Sequence, residues 1–427
     1  MNRPNKLWIV VLLFTVLAGS GASARGQEVV PETMGVSSER LRRIDSAIEG
    51  YVDRGEFAGV VTLMLRGGEV VHLNAVGFAD REAGVPMTTD AIFRIASMSK
   101  AVTTVAAMML IEEGRLGLQD PVSRFISEFS ETTVAVSDEG GLAQVPAIRP
   151  IRIIDLLTHT AGISYGYGVT EQLYRDAGVI GWYFSDKDES IGESVAKLGD
   201  LPFAAQPGER FVYGFATDIL GRVVEIVSGM TLDDFFQERI FGPLGLDDTH
   251  FYLPPEDADR LVVAYAPNPG GPVVRAPEGA AGQGHFVDGP RTSFSGGAGL
   301  VSTAMDYGRF LQMLLNGGEL DGVRLLSPKS VELMTTNHVG DLYAGGSMGF
   351  GFGFEIIEDV GTAHDYGSPG SYGWGSAYYP RYWVDPEEST VFLFLTQLIP
   401  WGNADLRLKF RSLFYQAIIG PVPNDAH

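Results

Sequence analysis

The chain has 427 residues, 53 acidic against 31 basic side chains, a formal net charge of −22 and no cysteine. Its length exceeds the usual single-core size, so two structural regions are expected. The acidic balance argues against nucleic acid or an anionic membrane as partner, and the missing thiol excludes a disulfide framework, a cysteine nucleophile and a lipoprotein anchor.

Residues 1–24 read as a secretory signal. Arg3 and Lys6 make a positive start, Leu7 to Ala18 an apolar stretch, and Ala22-Ser23-Ala24 a small-residue cleavage site. The apolar stretch is short for a transmembrane helix, so no stable membrane span is expected after cleavage. The expected product is residues 25–427, exported to the periplasm or secreted.

Beyond the signal, Ser38 is placed to cap a helix with Leu41, Ile44, Ile48 and Val52 on one face. Gly59 to Leu65, a turn at Arg66-Gly67-Gly68, and Glu69 to Ala75 read as an antiparallel hairpin. The other end of the chain mirrors it. Gly351 to Ile357, Ser376 to Val384 and Thr390 to Gln397 read as strands, and Asn403 as the cap of a helix with Leu406, Phe410, Leu413, Phe414 and Ala417 on one face. Helical patterns fall near residues 98–113, 215–228, 232–241 and 304–316. The pattern predicts an α+β fold with one antiparallel sheet built by both termini, about residues 37–96 and 345–420, and a mostly helical insertion, about 97–344. The Gly/Pro-rich stretch from Ala266 to Pro290 is expected to form a rim loop over a site.

Chemistry concentrates at Phe93-Arg94-Ile95-Ala96-Ser97-Met98-Ser99-Lys100, which opens the apolar run Ala101 to Ile111. At i and i+3 of a helix, Ser97 and Lys100 share a face. A serine hydroxyl needs a base within hydrogen-bond reach, and a lysine in an apolar wall can serve if burial lowers its pKa. The helix N-terminus adds unpaired N–H groups that favour negative charge at Ser97. A second S-x-x-K, Ser194 to Lys197, has no long apolar helix behind it and reads as surface. Gly162-Ile163-Ser164-Tyr165-Gly166 and Gly345-Gly346-Ser347-Met348-Gly349 match G-x-S-x-G but lack the strand-then-helix setting of a nucleophile elbow, so both read as turns. The seven histidines show no metal-binding spacing, and no zinc or other metal is expected. His159 reads as structural, bonding neighbouring backbone. The Gly/Phe alternation from Gly349 to Phe354 has strand period and no following helix, so it is no phosphate loop.

Three further stretches accompany Ser97: Pro207 to Gly221 with Tyr213-Gly214-Phe215, Ser295-Gly296-Gly297-Ala298-Gly299-Leu300-Val301-Ser302-Thr303, and Gly373-Trp374-Gly375-Ser376-Ala377. With these in place, the sequence resembles the serine β-lactamase and penicillin-recognising superfamily. Its nearest likeness is the class C-like branch, and within that the family VIII carboxylesterases. The resemblance runs from about Ser38 to Ile419. It implies a β-lactamase-like fold, Ser97 as the acylated nucleophile, Lys100 and Tyr213 as its proton-handling partners, and an oxyanion hole made by the backbone N–H groups of Ser97 and Ala377.

Two departures from the family pattern bear on substrate. The late-strand K-[ST]-G of β-lactamases is replaced by Trp374-Gly375-Ser376, and the usual Y-x-N reads Tyr213-Gly214-Phe215. The cation and the amide that hold a β-lactam are therefore absent from their family positions. Trp374, Gly375, Ser376 and Phe215 are expected to bind substrate, with aromatics such as Tyr165, Tyr167, Trp182 and Tyr183 helping to line an apolar pocket. The resulting expectation is an exported serine hydrolase on small or medium acyl esters, needing no cofactor, with a small-molecule ester or amide as its partner. A β-lactamase or a D-amino-acid peptidase or amidase is the alternative on the same scaffold. A non-catalytic binding protein is the alternative from another class.

Overall fold

The computed structural model describes residues 29–138, 141–402 and 405–423. The expected signal and the expected cap Asn403 lie outside those residues. Helix α1 (Ser38–Asp53) is capped by Ser37, whose hydroxyl accepts from the Arg40 N–H, so the cap sits one residue before the expected Ser38. Strands β1 (Gly59–Arg66) and β2 (Glu69–Asp80) form the expected hairpin. Their two-residue turn puts Gly67 at φ +57° and Gly68 at φ +84°, the left-handed pair such a tight hairpin favours.

The sheet is completed by β3 (Val85–Pro86), β4 (Gly349–Phe350), β5 (Glu355–Ile356), β6 (Tyr372–Gly375), β7 (Arg381–Asp385) and β8 (Thr390–Leu395). The eight strands run in the order β4-β5-β6-β7-β8-β1-β2-β3, with every neighbouring pair antiparallel. The two ends of the chain meet where β1 pairs with β8, Leu63 opposite Leu393.

Two of the expected late strands are in fact hairpins. Ser376 to Val384 is a turn leading into β7, because the chain reverses after Gly375 and brings Arg381 opposite it. Gly351 to Ile357 breaks at Gly353, whose φ of +86° closes a turn in which the Gly351 N–H bonds the Phe354 carbonyl. The aromatic side chains of that stretch stay buried, so the sequence shows strand period although the backbone bends.

β1 is buried along its whole length. Alternate side chains serve different cores, as strand geometry dictates. Val60 and Met64 face α1 and the C-terminal helix α5 (Leu406–Tyr415), meeting Leu41, Ile44, Ile48, Phe410 and Phe414. Val61, Leu63 and Leu65 face the opposite way, into the larger core shared with helices α2 (Ser99–Glu112), α3 (Ala216–Ser228) and α4 (Ala304–Leu315). The expected helix over 232–241 is helical over Leu232–Phe236 and continues as a wider turn over Gln237–Phe241. The insertion also carries short two-stranded ladders, among them Thr133–Asp138 with Gly141–Pro146.

Candidate active site

The nucleophile candidate sits where sheet and insertion meet. Ser97 lies in a short 3-10 turn, Ala96–Met98, that runs straight into α2. Ala96 takes φ +38°, a conformation costing a residue with a Cβ on the order of 1–3 kcal/mol. It is held there fully buried, in a cluster with Ala264, Ala276, Ala298 and Tyr378. The turn leaves the Ser97 N–H in the first turn, where helix geometry supplies no upstream acceptor.

Twelve consecutive residues of α2, Ser99 to Leu110, are buried, so Lys100 is walled in at 1% exposure. Its ammonium nitrogen lies 3.4 Å from Ser97 Oγ, 3.1 Å from Tyr165 Oη and 2.7 Å from the Gly297 carbonyl. Those are three partners for a group with three N–H bonds. Tyr213 meets Lys100 differently, with the nitrogen 4.7 Å from the centre of its ring. Its hydroxyl oxygen accepts a hydrogen bond from Trp374 Nε1 at 3.1 Å. Lys100, Tyr213 and Ser97 therefore converge, with two additions the motif did not reveal: Tyr165 as the phenol nearest the amine, and Trp374 as donor to Tyr213. Burial pushes the Tyr165 hydroxyl well above its usual range, and the neighbouring Tyr213 and Asp218 add to this.

The Ser295–Gly297 segment, which precedes α4, locks Lys100 in place. Asp218, in the first turn of α3, accepts from Ser295 Oγ at 2.5 Å and from the Gly297 N–H at 3.1 Å, and Thr103 of α2 donates to the Gly296 carbonyl at 2.7 Å. A Cβ on Gly297 would fall 2.5 Å from Asp218 Oδ2, so this close approach requires glycine there. Burial raises the Asp218 carboxyl, with the Lys100 charge acting in the opposite direction. His159, at φ +54° and fully buried, packs its ring 4.7 Å from that of Tyr213, and its Nδ1 has no hydrogen-bond partner. Burial, and then the Lys100 charge, hold its imidazole well below the usual range and so neutral. The expected bonding to neighbouring backbone is made by its own main chain, to Val212 and Leu156, and not by the ring.

Ala377 follows the end of β6. The Ser376 carbonyl accepts from Trp401 Nε1 at 2.9 Å and from the Tyr379 N–H, which turns the Ala377 N–H of the same trans peptide the opposite way. Ser97, Trp374, Gly375, Ser376 and Ala377 all line one cavity of about 310 Å³, together with Tyr165, Trp182, Phe211, Tyr213, Tyr343, Glu355, Arg381 and Trp401. A larger open groove of about 820 Å³ between β2 and α4 contains none of these residues.

Several expectations need correction. Phe215 does not reach the cavity. As the residue that starts α3 it is fully buried, with its ring 5.0 Å from Tyr165 and 5.7 Å from Phe184, so it backs the wall instead of forming it. Of the aromatics from 165 to 184, Tyr165 and Trp182 line the cavity. Tyr167 is exposed, and the Tyr183 hydroxyl is taken by the His285 N–H. No residue of Ala266 to Pro290 lines the cavity either. That stretch buttresses Tyr378, whose hydroxyl donates to the Gly282 carbonyl. The other serine motifs are engaged elsewhere: Ser194 bonds Glu189, the Ser164 hydroxyl accepts from the Gly166 N–H, and Ser347 closes a turn on Ala344.

Known proteins match this chain over nearly its full length. A family model described as Beta-lactamase matches residues 44–413. A Mycobacterium tuberculosis protein, Rv1367c, is 36% identical over 84% of this chain and 90% of its own length. Esterase EstB of Burkholderia gladioli is 29% identical over 87% of this chain and 94% of its own. Among solved structures, EstCE1, described as a hydrolase with promiscuous acyltransferase activity, superposes with a TM-score of 0.75 at 31% identity, covering 88% of this chain and 99% of that one.

Proposed function

The chain belongs to the beta-lactamase family, whose members are serine hydrolases, and from that premise we propose that it is a carboxylesterase working through an acyl-enzyme at Ser97. The observation that carries this reading is the cluster in which Lys100 meets Ser97 Oγ, Tyr165 Oη and the Gly297 carbonyl inside an aromatic-walled cavity. Ser97 Oγ attacks the ester carbonyl carbon while its proton passes to the Lys100–Tyr213 pair. Negative charge collects on the former carbonyl oxygen, opposite the N–H groups of Ser97 and Ala377. As the intermediate collapses, the alcohol leaves with the proton the pair had taken. Water then attacks the acyl carbon by the same route, returning the acid and the free serine.

The walls favour an uncharged acyl or alcohol group. Trp374 occupies the strand position where the family's β-lactam-binding cation would stand, and its indole is committed to Tyr213. The relative named as an esterase supports the same reading. Export is proposed with it, on the strength of Arg3, Lys6 and the apolar stretch that follows. The test sets a chromogenic short-chain ester beside a chromogenic cephalosporin, with a fluorophosphonate probe located by mass spectrometry. Ester turnover and an adduct on Ser97 are expected. Cephalosporin turnover equal to that of the best ester moves the chain to the β-lactamases, and an unlabelled protein supports a non-catalytic role.

A further inference from the structure

The cavity beside Ser97 is walled largely by aromatic side chains, and an ion pair also faces it. Arg381, the first residue of β7, stands opposite Gly375 in the β6–β7 register. Its Nη2 donates to Glu355 Oε1 at 3.2 Å, and each side chain is 15% exposed. The second Glu355 oxygen accepts from Tyr343 Oη at 2.9 Å. Glu355 thus has both oxygens engaged. Arg381 uses one of its five N–H donors, and among the described residues Glu355 is its only polar partner. Gly375 has no side chain to cover the guanidinium. A Cβ built there would lie 3.4 Å from Arg381 Nη1.

Arg381 lines the cavity and is partly exposed, so its remaining N–H groups can donate to an oxygen of a ligand seated there, a bond to a charged donor. The charge beside them decides which oxygen. The carboxylate of Glu355 already neutralises Arg381, so a second carboxylate would be brought in against a like charge only one side chain away. A neutral carbonyl oxygen meets the same donors without that repulsion. Gly375 and Ala377 are two residues apart, so their Cα atoms lie within about 7 Å of each other, and the guanidinium beside Gly375 lines the same cavity as Ser97 and Ala377.

We propose that Arg381, held in place by Glu355, is a specificity residue that binds a neutral hydrogen-bond acceptor, a second carbonyl oxygen, on the ester substrate. The assignment rests on the esterase reading above and narrows its substrate class to esters carrying a keto, lactone, amide or further ester oxygen a few atoms from the scissile carbonyl. Arg381 contributes the donors. Glu355 is a positioning residue that also cancels the charge, so anionic esters are disfavoured although a cation lines the site.

The test uses matched substrates and reads ratios of kcat/KM, so that any general loss in a variant cancels. One set is 4-nitrophenyl hexanoate, 4-nitrophenyl 5-oxohexanoate and the 4-nitrophenyl monoester of glutaric acid. A second pair, hexyl acetate and 5-oxohexyl acetate followed by pH-stat, places the carbonyl in the alcohol. Within at least one set the oxo ester should exceed its plain partner by about ten-fold, the effect of one hydrogen bond donated by a charged group. Arg381→Met should bring that ratio to about one. Glu355→Gln, which leaves the guanidinium uncompensated, should raise the glutarate monoester relative to the oxo ester. Equal rates for oxo and plain esters in both sets overturn the subsite alone and leave the esterase reading standing. Preference of the unmodified protein for the glutarate monoester overturns the neutral-acceptor assignment. Turnover of none of the five esters overturns the esterase reading and the subsite with it.

Discussion

Replacing Trp374 by phenylalanine separates two roles that the structure gives to one side chain. The indole forms cavity wall, with its ring 5.4 Å from Tyr213 and 5.4 Å from Phe350. Its Nε1 also donates to the Tyr213 hydroxyl oxygen at 3.1 Å. Phenylalanine keeps most of the wall and deletes the donor. If Tyr213 carries negative charge while it relays the serine proton, the lost bond is one to a charged oxygen, worth about 1.5–3 kcal/mol. Because that charge develops only on the way to the transition state, the loss should fall on kcat, by about 10- to 150-fold, with KM little changed. Steady-state hydrolysis of 4-nitrophenyl butyrate measures this, with thermal unfolding alongside because a large aromatic has been trimmed. A kcat within two-fold of the unmodified protein would refute the relay through Tyr213. A rise in KM at constant kcat would mean that Trp374 is wall and nothing more.

Ser97→Ala should abolish ester turnover, whereas Ser164→Ala, Ser194→Ala and Ser347→Ala should keep most of it, since those hydroxyls bond Gly166, Glu189 and Ala344; loss of activity in any of the latter three would displace the assignment. Lys100→Ala, Tyr213→Phe and the double variant should be strongly non-additive in kcat/KM, and cleanly additive losses would mean separate roles. Burial pushes the Asp306 carboxyl up to about 6, so its contribution to stability is fully present below about pH 4 and lost as pH rises through 6. Urea unfolding from pH 4 to 7 should therefore show the unmodified protein losing about 2 kcal/mol relative to Asp306→Asn, and a pH-independent difference would contradict the assignment.

The sheet was legible because its central strands have simple requirements. Gly59 to Leu65 is apolar but for the β-branched Thr62, and Gly67-Gly68 supplies a tight turn, so the hairpin follows from local chemistry alone. Ser97 and Lys100 were legible because their spacing and the apolar run behind them specify a buried helix start. What the sequence hid depends on turns it does not spell out. Ser376 to Val384 has the composition of one strand, yet the chain reverses within it, and only that reversal sets Arg381 against Gly375. Phe215 was misplaced for a related reason. Residues two apart in the turn before a helix point in different directions, so Tyr213 faces the cavity while Phe215 packs behind Tyr165. Tyr165 belongs to a loop whose string suggested a turn, and nothing in that string reveals that its hydroxyl reaches Lys100.

The charge arrangement around Lys100 explains why so many segments must converge on it. A carboxylate in direct contact would hold the ammonium form and oppose its use in proton transfer. The chain instead places its buried carboxylate one peptide away, with Asp218 gripping the Gly297 N–H and the Gly297 carbonyl gripping Lys100. Asp218 Oδ2 has no hydrogen-bond partner, an uncompensated cost that the Lys100 charge partly offsets. The attraction is strong enough to anchor the amine and indirect enough to leave two of its contacts to groups that exchange protons, Ser97 Oγ and Tyr165 Oη. His159 completes the balance. Its neutral ring, packed on Tyr213, adds bulk beside Lys100 without a second positive charge. Among the described residues, Lys100 is thus the cation that contacts Ser97, steadied by a carboxylate one peptide away and flanked by phenols, the setting that the proposed activation of the serine hydroxyl requires.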